Sequence, residues 1–306
     1  MDKCCATSKG QVCHKHATSA QLKLIANAMR KDIITMISEA KSGHPGGSLS
    51  SADIMSVLFF SDVMEYNQQD ALDHTNDRFF LSKGHAAPVL YAVYRQLGWI
   101  EEEDLHTLRQ LNSKLQGHPD CHALPGIEVC SGSLGQGLSV AAGCALGMKL
   151  DAKKAGTQAS DVYVLLGDGE MQEGSNWEAM MFAAHEKLDN LIAILDLNNL
   201  QIDGHVTDVC TLGDVDAKFA AFGWDVVHVN GHCVDALKDG FAEAKKKSHS
   251  EKPVVLICDT IKGKGISFME DQQGWHGKAP SAEQTQAAYE ELERERTEFL
   301  QEVKND

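Results

Sequence analysis

No stretch of this 306-residue chain is apolar for long enough to cross a membrane, and its opening, MDKCCATSKGQVCHKHATSA, has no apolar leader segment. Excess positive charge is missing too. Against 44 Asp and Glu stand only 28 Lys and Arg, a formal net charge of −16, which argues against a surface built for nucleic acid or anionic lipid. Any anion the protein holds must therefore be gripped locally. Nine cysteines are present but no C-x-x-C pair. Several sit in apolar runs such as VVLICDT and VAAGCALGM, so they read as reduced thiols, and a cytoplasmic protein is expected. Cys4, Cys5, Cys13, His14 and His16 fit no zinc spacing. Residues 1–18 read as a flexible arm, and 19–306, without repeats or low-complexity linkers, as a single domain ending in a helix.

Nucleotide loops are also absent. No G-x-x-x-x-G-K-[ST] occurs, and the turn VYVLLGDGEMQEG carries Gln172 where a dinucleotide fingerprint needs its third glycine. Asp168 within that turn is a further obstacle. A carboxylate about 4 Å from a phosphate oxygen costs roughly 4 kcal/mol at an effective dielectric near 20.

What is present is a change of period. Leu22, Ile25, Met29, Ile33, Met36 and Ile37 recur at helical spacing after Ser19, and a second apolar helix starts near Ser51. From residue 160 strands and helices alternate: DVYVLL, a helix over 176–187, NLIAILD, a helix near DVDAKFAAFG, WDVVHV, the helix VDALKDGFAEAKKK, and PVVLICDT. This order predicts an α/β fold, a parallel twisted sheet with helices on both faces behind a helical N-terminal segment, with binding at the carboxyl ends of the strands.

Asp168 and Asn198 then lie at the ends of successive strands, with the Leu200 carbonyl nearby. Two readings stand side by side. Asp168 caps a helix and Asn198 makes a turn; or both, with the Leu200 carbonyl, hold a divalent cation that bridges to a diphosphate, as Mg²⁺ does with one or two protein oxygens.

The string G-D-G followed thirty residues later by N-N resembles the motif of thiamine diphosphate-dependent enzymes. Three loops, SGHPGG (His44), SKGHAA (His85) and QGHPD (His118), resemble the histidine loops of transketolases in order and wording. SGSLGQG resembles their GPLGQG segment, with Ser133 in place of proline, and QQGWHGKAP (His276) their last histidine loop. The resemblance spans residues 20–280 and is to the amino-terminal, diphosphate-binding half of the family.

The resemblance implies thiamine diphosphate with Mg²⁺, or with Ca²⁺ or Mn²⁺, and transfer of a two-carbon ketol unit from a ketose phosphate to an aldose. It places His85, His276, Gly132, Leu134, Gly167, Asp168, Gly169 and Asn198 on the cofactor, with the Gly169 N–H donating to the diphosphate. It puts Asp168, Asn198 and the Leu200 carbonyl on the metal. His44, His118 and His276 become the residues that move protons on the sugar. Glu173 and Glu178 become subunit-interface residues, although glutamates there also suit a helix N-terminus. Transketolases take the glutamate that activates the aminopyrimidine ring from a second α/β domain, and after Pro280 only one charged helix follows here. The resemblance therefore implies a split enzyme, with a partner subunit carrying the pyrimidine-binding domain in an α2β2 assembly, sugar phosphates as substrates, and neither nucleic acid nor membrane as a partner. Two rivals are the α subunit of a thiamine-dependent 2-oxoacid dehydrogenase, which should lack the SGHPGG and SKGHA loops, and a non-catalytic cofactor-binding regulator, which would have no use for sugar-facing histidines.

Overall fold

The structure, a computed structural model, describes residues 16–305. Cys4, Cys5, Cys13 and His14 of the expected arm lie outside the described residues. The arm's last residues are packed: Ala17 is buried, its N–H donates to the Phe60 carbonyl at 3.1 Å, and Thr18 rather than Ser19 caps the first helix. Thr18 and Gln21 form a reciprocal capping box, which satisfies two of the helix's free N–H groups.

In chain order the elements are α1 (Ser19–Ala40), α2 (Pro45–Ser50), α3 (Ala52–Phe60), β1 (Arg78–Leu81), α4 (Ala87–Leu97), α5 (Glu102–Leu105), α6 (Gly137–Ala155), β2 (Val162–Gly167), α7 (Gly174–His185), β3 (Leu191–Leu197), β4 (Leu200–Gln201), β5 (Gly204–His205), α8 (Val206–Val209), α9 (Val215–Ala221), β6 (Asp225–Asn230), α10 (Val234–Lys247), β7 (Val254–Asp259) and α11 (Ala282–Asn305). The α/β reading holds. Two local features differ from expectation: SGHPGGSLS is not all loop, since Pro45 opens α2 with its φ preset for a helix, and a small antiparallel hairpin, β4–β5, follows β3.

The main sheet is parallel throughout, in the order β1-β2-β3-β7-β6. Its strands read as nearly continuous apolar runs because both faces are covered. Tyr163, Leu165, Ile192, Ile194, Val254 and Leu256 point into one core with α1, α3, α4 and α10. Val162, Val164, Leu191, Ala193, Val255 and Ile257 point into the other, with α6, α7 and α9. The tail helix α11 lies along α1, joined by Asn27 Nδ2 donating to Leu292 O at 3.0 Å and to Glu295 at 2.7 Å.

After β3 the chain crosses to the far edge as β6 and returns through α10 as β7, between β3 and β6. The direction of winding thus reverses beside β3. Such a reversal leaves a crevice at the carboxyl ends of the strands, where open α/β sheets bind ligands.

Candidate cofactor and histidine site

A cavity of about 230 Å³ occupies that crevice, lined among others by Lys83, His85, Asp168, Asn198, Leu200, Lys262 and His276. Each wall comes from a different strand end: Lys83 follows β1, Gly167–Gly169 end β2, Asn198 and Leu200 follow β3, and Lys262 follows β7. Pairing of Gly167 with Asp196 in neighbouring strands brings Asp168 and Asn198 to the same place, as their spacing predicts.

Asp168 is buried, with its Oδ1 accepting the Gly169 N–H at 2.7 Å and Oδ2 accepting the Asn199 N–H. The capping role is therefore real. The Gly169 N–H, which the resemblance assigns to the diphosphate, here serves the adjacent carboxylate. Burial, and then the charge of Asp196, push the Asp168 carboxyl up to about 6. A group so placed gains from a cation. Asn198 Oδ1 accepts the Leu200 N–H at 3.1 Å, and the Leu200 carbonyl accepts from Lys262 Nζ at 2.7 Å. A carboxylate, an amide oxygen and a main-chain carbonyl form a hard-oxygen set, and each keeps a further lone pair, so these residues fit a Mg²⁺-like ion. Lys262 also reaches His276 Nδ1 at 2.9 Å, and burial lowers its ammonium to about 8. Its side chain passes Gly46 so closely that a Cβ there would stand 2.9 Å from Lys262 Cγ.

Four histidine loops far apart in sequence converge. His44 lies 5.3 Å from His85, 5.4 Å from His276 and 6.3 Å from His118, centroid to centroid, while His85 and His276 stack at 5.1 Å. Burial, then the charge of Arg109, lowers His44 to about 4; burial, then Lys262, lowers His276 to about 3. Burial likewise holds His85 well below the usual imidazole range, and His118 below it. All four are neutral near pH 7, each able to accept a proton at one nitrogen and donate from the other. Gly132 sits against His118 at φ +146°, where a Cβ would approach His118 Cδ2 to 3.1 Å. Leu134 and Glu173 line the cavity, Glu173 at its exposed rim just before α7, whereas Glu178 is exposed on α7 away from it.

Several participants escape a reading of the sequence. Lys83 is fully buried, donating to Gly47 O at 2.9 Å, Ser51 Oγ at 2.7 Å and Asp196 Oδ2. Asp196 also accepts from Ser50 Oγ at 2.7 Å, Asn198 Nδ2 at 3.1 Å and Thr260 Oγ1. Glu170 brackets the loop by accepting from Ser82 Oγ at 2.5 Å and from the N–H groups of Gly135 and Gly167 at 3.0 and 3.1 Å. Arg109 donates to Ser42 Oγ at 2.7 Å and to His44 Nδ1 at 3.3 Å, which leaves the proton of neutral His44 on Nε2. Lys83 and Lys262 do carry one sequence signal, since each stands just past the carboxyl end of a strand.

Strand ends that gather two lysines, three oxygen donors and four neutral histidines define a cofactor-binding α/β domain. Residues 21–304 match the family described as transketolase, thiamine diphosphate binding domain, and the chain belongs to that family. Human transketolase is 45% identical over 257 residues, covering 84% of this chain and 40% of that protein. An apulose-4-phosphate transketolase subunit of Phocaeicola vulgatus is 40% identical over 285 residues, covering 93% of this chain and 98% of that protein. The crystal structure of Campylobacter jejuni transketolase superposes with a TM-score of 0.82 at 33% identity, over 91% of this chain and 45% of that one. The chain thus spans about 40% of the length of full transketolases and nearly all of a relative that is itself named as one component of such an enzyme.

Proposed function

We propose that this chain is the diphosphate-binding subunit of a two-component transketolase in carbohydrate metabolism, which transfers a two-carbon ketol unit from a ketose phosphate to an aldose. The observation that carries this reading is the meeting of His44, His85, His118 and His276 beside the oxygen set of Asp168, Asn198 and Leu200. Thiamine diphosphate supplies the carbanion-stabilising chemistry when bound. Asp168, Asn198 and the Leu200 carbonyl hold Mg²⁺, or Ca²⁺ or Mn²⁺ in its place. His85, His276 and Lys262 orient the diphosphate, while Gly132 and Leu134 lie against the cofactor.

His44, His118 and His276 hold and move protons of sugar hydroxyls. Their neutrality suits the work, because a neutral imidazole both accepts and donates. Arg109 fixes the His44 tautomer so that Nε2 carries the proton.

The partner is a second polypeptide with the pyrimidine-binding domain. The near-complete correspondence with the Phocaeicola protein, named as one component of a transketolase, supports it. A second copy of this chain covers the outer face of α6 and α7. There Val140, Leu150, Met181 and Phe182 are exposed beside Glu173 and Glu178, and glycines 143, 147 and 174 leave open space for an approaching surface. Together these give an α2β2 assembly, cytoplasmic by its reduced thiols.

The test is ketol transfer by the purified chain alone and with its co-purified partner, in Mg²⁺ and thiamine diphosphate, across several ketose phosphates including apulose 4-phosphate. Activity is expected only from the pair. His118→Ala should lower turnover more than cofactor affinity. Full activity of the chain alone, or normal turnover of the His118 variant, refutes the reading.

A further inference from the structure

The loop that carries His118 at one end and Gly132 at the other doubles back on itself, with the Ser131 N–H donating to the Pro119 carbonyl at 3.2 Å. On its outer side the two limbs bring together residues that the cofactor site does not use. Cys121 Sγ lies 3.2 Å from Cys130 Sγ, and His122 Nδ1 lies 3.7 Å from the first sulfur and 3.6 Å from the second. Asp120 Oδ1 is 3.1 Å from His122 Nδ1 and 3.2 Å from Cys130 Sγ. These four ligand atoms all lie within 4.8 Å of one another.

The separations are those of a small tetrahedral cage. Zinc binds thiolate sulfur at about 2.3 Å and imidazole nitrogen or carboxylate oxygen at about 2.0–2.2 Å, so neighbouring ligands in a tetrahedron stand roughly 3.3–3.8 Å apart. Five of the six edges run from 3.1 to 3.7 Å and the sixth, Asp120 Oδ1 to Cys121 Sγ, is within 4.8 Å, so the largest adjustment on the five is an opening of the sulfur pair by about half an ångström to receive the ion. Ligand chemistry selects the metal. Two thiolates and an imidazole favour zinc, whereas Mg²⁺ takes oxygen, so this set does not compete with Asp168, Asn198 and Leu200 for the same ion. The ligands also face solvent, with the His122 side chain 85% exposed, so an ion reaches them without rearrangement.

We propose that Asp120, Cys121, His122 and Cys130 form a tetrahedral Zn²⁺ site that staples the two limbs of the His118–Gly132 loop. Binding replaces two S–H bonds by two Zn–S bonds and releases two protons to solvent, with no change of oxidation state, so affinity rises with pH. A closed staple holds the limb bearing His118 against the limb bearing Gly132; an open one leaves this to the backbone bond of Ser131 to Pro119 and the weaker contacts of the Cys130 thiol with Asp120, Cys121 and His122. The pattern of residues along the chain does not announce the set, because Cys130 is nine residues from Cys121 and only the reversal of the loop unites them.

The experiment uses the full-length chain with Cys4, Cys5 and Cys13 replaced by Ser, so that the amino-terminal thiols do not contribute. Co²⁺ serves as the probe, titrated anaerobically in excess Mg²⁺. One equivalent should develop a thiolate-to-cobalt charge-transfer band and the visible bands of tetrahedral cobalt, and one equivalent of Zn²⁺ should bleach them. Cys121→Ser with Cys130→Ser should abolish the signal while the far-ultraviolet circular dichroism stays native. Asp168→Asn should keep it. Absence of the band at one equivalent, its survival in the double variant, or recovery of Cys121 and Cys130 from cells as a disulfide after rapid alkylation would overturn the assignment.

Discussion

Lys83→Met nearly keeps the length of a fully buried side chain, one atom shorter, and removes its charge, leaving the Asp196 carboxylate in the interior without the cation that touches it. Lys83 and Asp196 are 1% and 0% exposed and in direct contact. At an effective dielectric near 20 and a separation of about 3 Å, their attraction is roughly 6 kcal/mol. Taking each ion out of water costs several kcal/mol, so the intact pair is worth little against a well-packed apolar pair. Breaking it by removing one partner costs about 3–5 kcal/mol. Against a typical total stability of about 5–15 kcal/mol, that loss is readily measured by urea unfolding of the chain in metal-free buffer at pH 7.5.

The pH dependence of the loss adds a second signature. Burial raises the Asp196 carboxyl, and in the native protein Lys83 and the Ser50 and Thr260 hydroxyls outweigh it and hold the group below its ordinary value. The stability contributed by the pair is therefore present above the ordinary carboxylate value and disappears as pH falls through the lower folded one. Without Lys83 the burial effect dominates, the folded value rises, and Asp196 takes up a proton at mildly acid pH. The deficit of Lys83→Met should shrink between pH 7.5 and pH 5. Adding Asp196→Asn in the same chain should recover at least ~1 kcal/mol at pH 7.5, since no stranded charge is left. A loss below ~1 kcal/mol for the single variant, or a double variant as unstable as the sum of the singles, would refute the reasoning.

Two other perturbations address the site directly. Asp168 has a folded value of about 6 against an ordinary 3.8, a difference worth ~3 kcal/mol; as a raised acid it contributes stability in full below pH 3.8 and loses it as pH rises through about 6. Asp168→Asn should remove that slope from the urea stability of the metal-free chain and abolish Mg²⁺-dependent binding of thiamine diphosphate by calorimetry, and an unchanged slope or unchanged binding counts against the assignment. Gly132→Ala places a Cβ at φ +146° and 3.1 Å from the His118 ring, a strain of about 1–3 kcal/mol; urea unfolding should record it, ketol transfer by the assembled enzyme should fall, and a variant with wild-type stability and rate rules it out.

Much of this fold follows from local patterns. The helical spacing of Leu22 to Ile37 and the apolar runs of β2, β3 and β7 are each decided by burial on one face or both, and burial is written in residue type. The G-D-G and N-N pair is legible because one strand–helix–strand unit joins them, which makes their spacing a statement about space. The histidine loops are legible only through resemblance, since His44 and His276 are set by strand order and loop path rather than by any period. The insertion of β7 between β3 and β6 leaves no local mark. Neither does the buried pair, for a lysine after a strand looks the same in sequence whether it faces water or a carboxylate 113 residues away.

The four neutral imidazoles have a consequence for timing. A proton that lands on His44 sits beside the Arg109 guanidinium, and one that lands on His276 sits beside the Lys262 ammonium. Neither site is a resting place. Fixed positive charge at each stop shortens the stay, so in the reaction proposed above the cluster would serve as a relay and not as a reservoir, and each proton lifted from a sugar hydroxyl would be under pressure to be delivered before the next one arrives.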